Sequence, residues 1–421
     1  LAVLSFWVAI RGRSNFSEGW RVFWSLLFGS LLGLSIYSPT NLTLVVLQTL
    51  FLLAVFSVLL IPVWIGVANW LLVPLYDLVK SLIYFRATRY LSGKRERLRV
   101  IAVAGSYGKT TTKNFIRQFL QYNYRLQMIP GNVNTATGIA TWILKNLKES
   151  TEILLVEIDG YDAGEYKNSA NIVRPDLTII TNVGDQHLER FGSRRNLALA
   201  LLGLVRETNP QGTVIFSSSM MEDLSCWEIN LQKWCAGKDL RILPLDQKPT
   251  YKEKKLKVKD LSSSNQVNLR FALEVSEIFQ IDEDFVEDTL NNLELPERRQ
   301  IETDMYGFKV LDDSYNISFT TARAGLERAA KRAKETKKKL VIIFGGIPEL
   351  GEENSLANSQ IGALMAERAE AVVLLQTILV AETQAALQKA GFEQIYTANR
   401  MSEAWEIIQK EFDPKNHYVL M

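Results

Sequence analysis

The sequence predicts an α/β protein built on wound parallel sheets and preceded by apolar transmembrane helices. Three observations carry this. Residues 22–76 contain no Asp, Glu, Lys, Arg or His, whereas the chain beyond Asp77 is charge-rich. From Arg99 onward, short apolar runs alternate with segments of helical spacing. The first of those runs, Val100 to Ala104, leads at once into a glycine-rich turn with a Gly-Lys-Thr tail.

Residues 1–10 are apolar but too few to cross a bilayer, and Arg11, Arg13 and Arg21 follow. Two longer apolar runs, residues 22–37 and 42–70, are separated by the turn residues Pro39, Thr40 and Asn41. Spanning takes about 20 apolar residues, so the second run qualifies, and the first does if it begins near Trp20. The arginines of residues 11–21 and the cluster Lys80, Arg86, Arg89, Lys94, Arg95, Arg97 and Arg99 both place their flanks inside. The alternative is an apolar helical hairpin buried in a large soluble fold. A cleaved signal peptide fits worse, since nothing resembles an export cleavage site. Leu1 is not an initiator residue and Tyr418 to Met421 reads as part of a strand, so a fragment is expected at both ends.

The runs Val100 to Ala104, Ile153 to Val156, Leu177 to Ile180 and Val214 to Phe216 read as strands buried on both faces. Residues 112–123 have helical spacing. After Pro296 a second α/β unit is expected, with strands at Lys309 to Leu311, Leu340 to Phe344 and Ala371 to Leu375. Helices are expected over 320–334, 359–368 and 402–411. The division is therefore a membrane and juxtamembrane segment at 1–95, a central P-loop-type domain at 96–295 and a Rossmann-like domain at 296–421.

The chain's 48 Lys and Arg against 46 Asp and Glu leave a net charge of +2, which gives no electrostatic case for nucleic acid. The basic runs at 252–259 and 331–339 are interleaved with acidic residues and read as solvated faces. Two cysteines, Cys226 and Cys235, and two histidines, His187 and His417, exclude an all-His or Cys/His metal site. Any metal must be a hard ion held by oxygens, with at most one imidazole.

The segment Gly105-Ser106-Tyr107-Gly108-Lys109-Thr110-Thr111-Thr112-Lys113 stands between a strand and a helix. Its glycines let backbone N–H groups converge on phosphate oxygens, and the helix N-terminus adds a positive end. Lys109 is placed to reach β- and γ-phosphates, and the Thr110 hydroxyl to meet Mg²⁺. Val103 stands where the Walker pattern has its first glycine, so the loop is shorter than that pattern. Glu157 ends a buried strand and is placed either to hold Mg²⁺ or to serve as a structural carboxylate. His187 follows the strand Leu177 to Ile180 by a short loop, where ligands of α/β sheets bind.

This short loop resembles that of the Mur ligase family, and further matches follow in the family's order. They are Pro130-Gly131-Asn132-Val133-Asn134-Thr135 with Gly138-Ile139, Glu157, and the histidine signature from Thr181 through His187 to Ser193. Asn265 and Asn268 come next, then Pro296 with Arg298, Leu311-Asp312-Asp313-Ser314-Tyr315-Asn316, and Gly345-Gly346 with Glu349-Leu350-Gly351-Glu352. The last two elements most resemble the subgroup adding D-alanyl-D-alanine to UDP-N-acetylmuramoyl-tripeptide.

The resemblance implies a ligase of cell-wall peptide assembly that phosphorylates a carboxylate with ATP and lets an amine attack. It implies nucleotide contacts from Gly105, Ser106, Gly108, Lys109, Thr110, Thr111, Asn134, Asn268, Arg298 and Asp313. Lys109, His187 and Arg298 would be catalytic; Thr110, Glu157 and His187 would hold Mg²⁺. The implied partners are a muramyl peptide, an amino acid or dipeptide, and membrane lipid at the N-terminus. The expected location is a bacterial inner membrane, with the catalytic domains in the cytoplasm. Two departures stand out. Leu201 occupies the position, eight residues past Ser193, where the family usually carries a carbamylated lysine. Apolar helices replace the soluble domain that grips uridine diphosphate in cytosolic relatives. A membrane-bound ATP-binding scaffold, and a ligase for another amino-acid polymer, are the rival readings.

Overall fold

The structure is a computed structural model describing residues 42–243, 250–251, 254–255, 263–294, 301–314 and 317–421. The chain divides into two compact units, Leu1–Val79 and Lys80–Met421. The apolar run expected at 22–37 lies outside the described residues.

Among the described residues the first unit is helical. The helix Leu42–Ser92 runs on past Trp70, through Pro62 and Pro74, into the second unit. It extends further than the sequence predicts because Asp77 and Lys80, which mark the end of the uncharged run, are ordinary helix residues that break nothing. Its part Phe56–Ser92 is long and apolar enough to cross a membrane by length and composition. Trp64 and Trp70 are 64% and 76% exposed, so this stretch is not the buried core hairpin that was the alternative. The last turns differ: Ala87 and Leu91 are buried in the core of the second unit.

That core is organised by a parallel sheet of β1 (Arg99–Ala104), β2 (Leu126–Met128), β3 (Ile153–Glu157), β4 (Leu177–Ile180), β5 (Thr213–Ser217) and β6 (Asp239–Leu243). The spatial order is β2-β3-β1-β4-β5-β6. Apolar residues run continuously along β1 because both faces are covered. Val100, Ala102 and Ala104 enter one core, and Ile101 and Val103 the other. Each buried valine or isoleucine among them contributes about 1.5–3 kcal/mol. A hairpin of β7 (Thr250–Tyr251) and β8 (Lys254–Lys255) follows.

The helices on this sheet start in two ways. Those beginning at Ala136, Ala163, Arg194 and Ser218 are capped by the side chains of Thr135, Asp162, Ser193 and Ser217. The helix Lys109–Leu120 has Gly108 at its N-cap and no side-chain cap, so its first N–H groups open toward the preceding turn. This helix begins at Lys109 rather than Thr112, because a glycine in the left-handed region starts it without a capping side chain.

A second sheet comprises β9 (Ile301–Met305), β10 (Phe308–Asp312), β11 (Lys339–Phe344), β12 (Ala371–Leu375), β13 (Ile395–Ala398) and β14 (His417–Leu420). Its order is β13-β12-β11-β14-β10-β9, parallel except for the antiparallel edge strand β9. Its helices include Phe319–Glu335, Asn354–Ala366 and Met401–Glu411. The middle one lies upstream of the expected 359–368, since the acidic turn Gly351–Glu353 already winds into it.

Candidate active site

The carboxyl ends of β1, β3 and β4 meet around the turn 105–108. Parallel pairing sets Val103 beside Glu157 and Ala104 beside Ile180, so three loops leave the sheet together. Gly108 has φ 80°, and a Cβ there would collide with the Asn268 side chain. Thr112 Oγ1 also donates to Asn268 Oδ1, at 3.3 Å. Asn268 thus closes the turn from the helix Ser263–Ile278.

The turn is held from behind by the loop after β4. Thr181 Oγ1 donates to the Tyr107 carbonyl at 2.6 Å, and Asn182 brackets Tyr107 by accepting from its N–H and donating to its carbonyl, each at 3.0 Å. Ser106 Oγ accepts from the Gly184 N–H at 2.8 Å. Gly184 has no room for a Cβ, which would run into the Tyr107 ring. The Tyr107 hydroxyl bonds the Thr320 side chain of the second sheet's first helix. Burial first, and then the Asp185 charge, push this phenol above its ordinary value.

Lys109 is buried with its ammonium folded over the turn. It donates toward the carbonyls of Gly105 (2.7 Å) and Ser106 (3.3 Å) and toward Gln186 Oε1 (3.2 Å), and it pairs with Asp159 Oδ2 at 3.1 Å. The Thr110 hydroxyl donates to both oxygens of Glu157, at 2.9 and 3.1 Å. Glu157 in turn pairs with Lys113 Nζ at 3.1 Å, and Lys113 also donates to the Ile129 carbonyl at 2.9 Å. Thr110 with Glu157 is a hydroxyl and a carboxylate converging beside a phosphate-sized turn. That donor set suits Mg²⁺, which takes one or two carboxylates plus phosphate oxygens and water. Among the described residues no group of three or more His, Cys, Asp or Glu is built to hold a metal by itself.

His187 lies across the cleft. Its backbone is left-handed at φ 59°, and its ring packs edge-on to Tyr161 with centroids 4.6 Å apart. Nδ1 is 2.5 Å from Glu349 Oε2 on the second sheet's side, yet off the direction of a hydrogen bond, so this buried nitrogen has an ion-pair neighbour and no hydrogen-bond partner. Nearby, the Glu189 N–H donates to the Glu349 carbonyl at 3.0 Å, and Arg194 bridges Asp185 (2.6 Å) and Glu353 (3.0 Å). The resulting cleft of about 220 Å³ is lined by Asp159, Tyr161, Asp185, Gln186 and His187 from one sheet's loops and by Ile317, Ser318, Pro348, Glu349 and Leu350 from the other's.

Of the expected residues, Gly105, Ser106, Gly108, Lys109, Thr110, Glu157 and Asn268 converge on the turn, and Thr111 follows in the first turn of its helix. Asn134 stands beside them through its carbonyl, which accepts from the Asp159 N–H at 3.1 Å. Asp313 lies at the end of β10, its N–H donating to the Met421 carbonyl at 2.8 Å. Arg298 lies outside the described residues. Leu201 is fully buried in the core of the first sheet. Sequence reasoning missed Asp159, Lys113 and Arg194; the only local signal was an Asp-Gly pair just past a buried strand.

Comparison with known proteins bears on the same region. The model of the Mur ligase middle domain matches residues 103–275. The UDP-N-acetylmuramoyl-tripeptide–D-alanyl-D-alanine ligase of Bacillus subtilis is 28% identical over 278 residues, 63% of this chain and 60% of that protein. The ligase of the same name from Synechocystis is 26% identical over 65% of this chain and 61% of its own length. The chain therefore spans about three-fifths of these curated relatives. Among solved structures, MurF from Acinetobacter baumannii superposes with a TM-score of 0.66 at 20% identity, covering 80% of this chain and 76% of that one. MurF ligase from Thermotoga maritima, solved with ADP, gives 0.66 at 19% identity over 80% and 79%. At those identities the likeness concerns the fold. Residues 103–275 of this chain are thus similar to a Mur ligase middle domain, and that stretch holds the turn and the crevice described above.

Proposed function

We propose that this chain is an ATP-dependent amide-bond ligase of peptidoglycan precursor synthesis, joining D-alanyl-D-alanine or a related amine to a muramyl peptide. The observation that carries it is the uncapped helix start at Gly108, with Lys109, Thr110 and Glu157 gathered on it. In this reading a substrate carboxylate oxygen attacks the γ-phosphorus of ATP, the bond to the β-phosphate oxygen breaks, and ADP leaves with the electron pair. The amine then attacks the acyl carbon, loses a proton, and phosphate departs. Lys109 and the open N–H groups stabilise negative charge during the first transfer. Mg²⁺ held by Thr110 and Glu157 would supply further charge neutralisation. His187, Asn134, Asn268, Arg298 and Asp313 keep the roles the family resemblance assigns them, within a division at 96–295 and 296–421.

The exposed apolar helix supports a membrane anchor, with the ligase unit on the cytoplasmic face. Resistance of the full chain to alkaline extraction from membranes is the expected outcome, and release into the supernatant would remove the anchor. Leu201 favours one second reading, an ATP-binding scaffold, because a leucine packed in the core brings no carbamate to the cleft.

The test is phosphate release by the full chain in detergent with Mg²⁺ and ATP, with and without a muramyl tripeptide and D-alanyl-D-alanine. Release that requires both substrates, and that falls about 10²–10³-fold in Lys109→Ala, is expected. ATP binding without substrate-dependent release would leave the scaffold.

A further inference from the structure

We infer that Asp159 is a positioning residue for Lys109: it is an internal counter-anion that stations the ammonium over the turn and is displaced from it by nucleotide phosphate. This rests on the nucleotide-binding reading above.

The two oxygens of Asp159 are used differently. Oδ1 accepts from the Gly160 N–H at 3.0 Å and from the Tyr166 hydroxyl at 3.2 Å, while Oδ2 takes Lys109 at 3.1 Å. The Asp159 N–H donates to the Asn134 carbonyl. The carboxylate is thereby fixed by its own loop, by a helix and by the loop before it, and one oxygen remains directed at the lysine. Its side chain is 15% exposed and that of Lys109 7%. Among the described residues Asp159 brings the one carboxylate in ion-pair range of Lys109; the other three acceptors are neutral.

An ammonium has three N–H donors, and here four acceptors surround it. No donor is spare, so a phosphate oxygen reaching Lys109 must replace one of these partners. Exchange of carboxylate for phosphate keeps the buried charge compensated throughout, whereas loss of a neutral partner would crowd two anions together. Asp159 therefore opposes nucleotide binding while it keeps the lysine in place for the transfer.

Calorimetric titration of the full chain with ATP and Mg²⁺, without acceptor substrates, tests this. Asp159→Asn keeps the size of the group and is expected to bind ATP roughly three- to tenfold more tightly, as one opposing charge is removed. In the complete reaction its KM for ATP falls and its kcat falls with it, since the lysine is less well held. Tyr166→Phe loosens the carboxylate without removing it and is expected to shift affinity the same way by less. It decides the matter if Asp159→Asn does not fold, which thermal unfolding reports. Unchanged or weaker ATP binding in Asp159→Asn overturns the assignment, and weaker binding with a raised Mg²⁺ requirement would transfer the carboxylate to the cation. Lys109→Ala separates the two levels. If it binds ATP like the parent, the nucleotide reading itself fails; if it loses affinity while Asp159→Asn does not move, only the assignment of Asp159 fails.

Discussion

The crevice above the first sheet and the seam where the two sheets' loops meet use the same residue types under opposite conditions. In the crevice the Lys113 side chain is fully buried and that of Glu157 is 4% exposed. At the seam Arg194 and Glu353 remain 44% and 46% exposed. Water competes for Arg194 and Glu353 at the seam, although their neighbour Asp185 is buried, and for almost nothing in the crevice. Charges of the crevice are thus locked in by folding, whereas the exposed Arg194–Glu353 pair of the seam can exchange partners at little cost.

Three substitutions break or sharpen this contrast. Lys113→Ala leaves Glu157 buried with, among the described residues, the Thr110 hydroxyl as its remaining side-chain partner, and a loss of about 3–5 kcal/mol is expected in urea unfolding. If that loss matched the one at the seam, the contrast would collapse. Gly184→Ala drives a methyl group into the Tyr107 ring, so about 1–3 kcal/mol is expected, together with lower affinity for ATP as the turn shifts. Unaltered stability and binding would mean that the turn and the loop behind it move independently. Glu353→Ala removes one arm of the Arg194 bridge while Asp185 keeps the other. Its expected cost is below about 1 kcal/mol and vanishes at high salt. A larger, salt-independent loss would show that the charges of the seam are held as firmly as those of the crevice.

Much of this was legible in the chain. Strands β1, β3, β4, β5, β11 and β12 announce themselves as apolar runs because parallel strands are covered on both faces. The turn at 105–113 is readable because a glycine start and a Gly-Lys-Thr tail are local requirements of one backbone shape. Short edge strands were not legible: β2 has three residues and none is fully buried, so nothing in its composition marks it. Nor were the partners of the central lysines. Lys109 and Lys113 are one helical turn apart and alike in sequence, yet one meets Asp159 and the other Glu157. That distinction is made by the register of β3 beside β1, which no local pattern encodes.

The place of β14 has a bearing on how the second sheet comes into being. It lies between β11 and β10, which touch each other nowhere along their length. On a ribosome, the hairpin of β9 and β10 and the layer of β11 to β13 emerge before the strand that joins them. Until residues 417–420 appear, each half presents an open strand edge to solvent and to neighbouring chains. Joining of these two halves is therefore late and non-local, the circumstance in which slow assembly and a need for chaperones are expected.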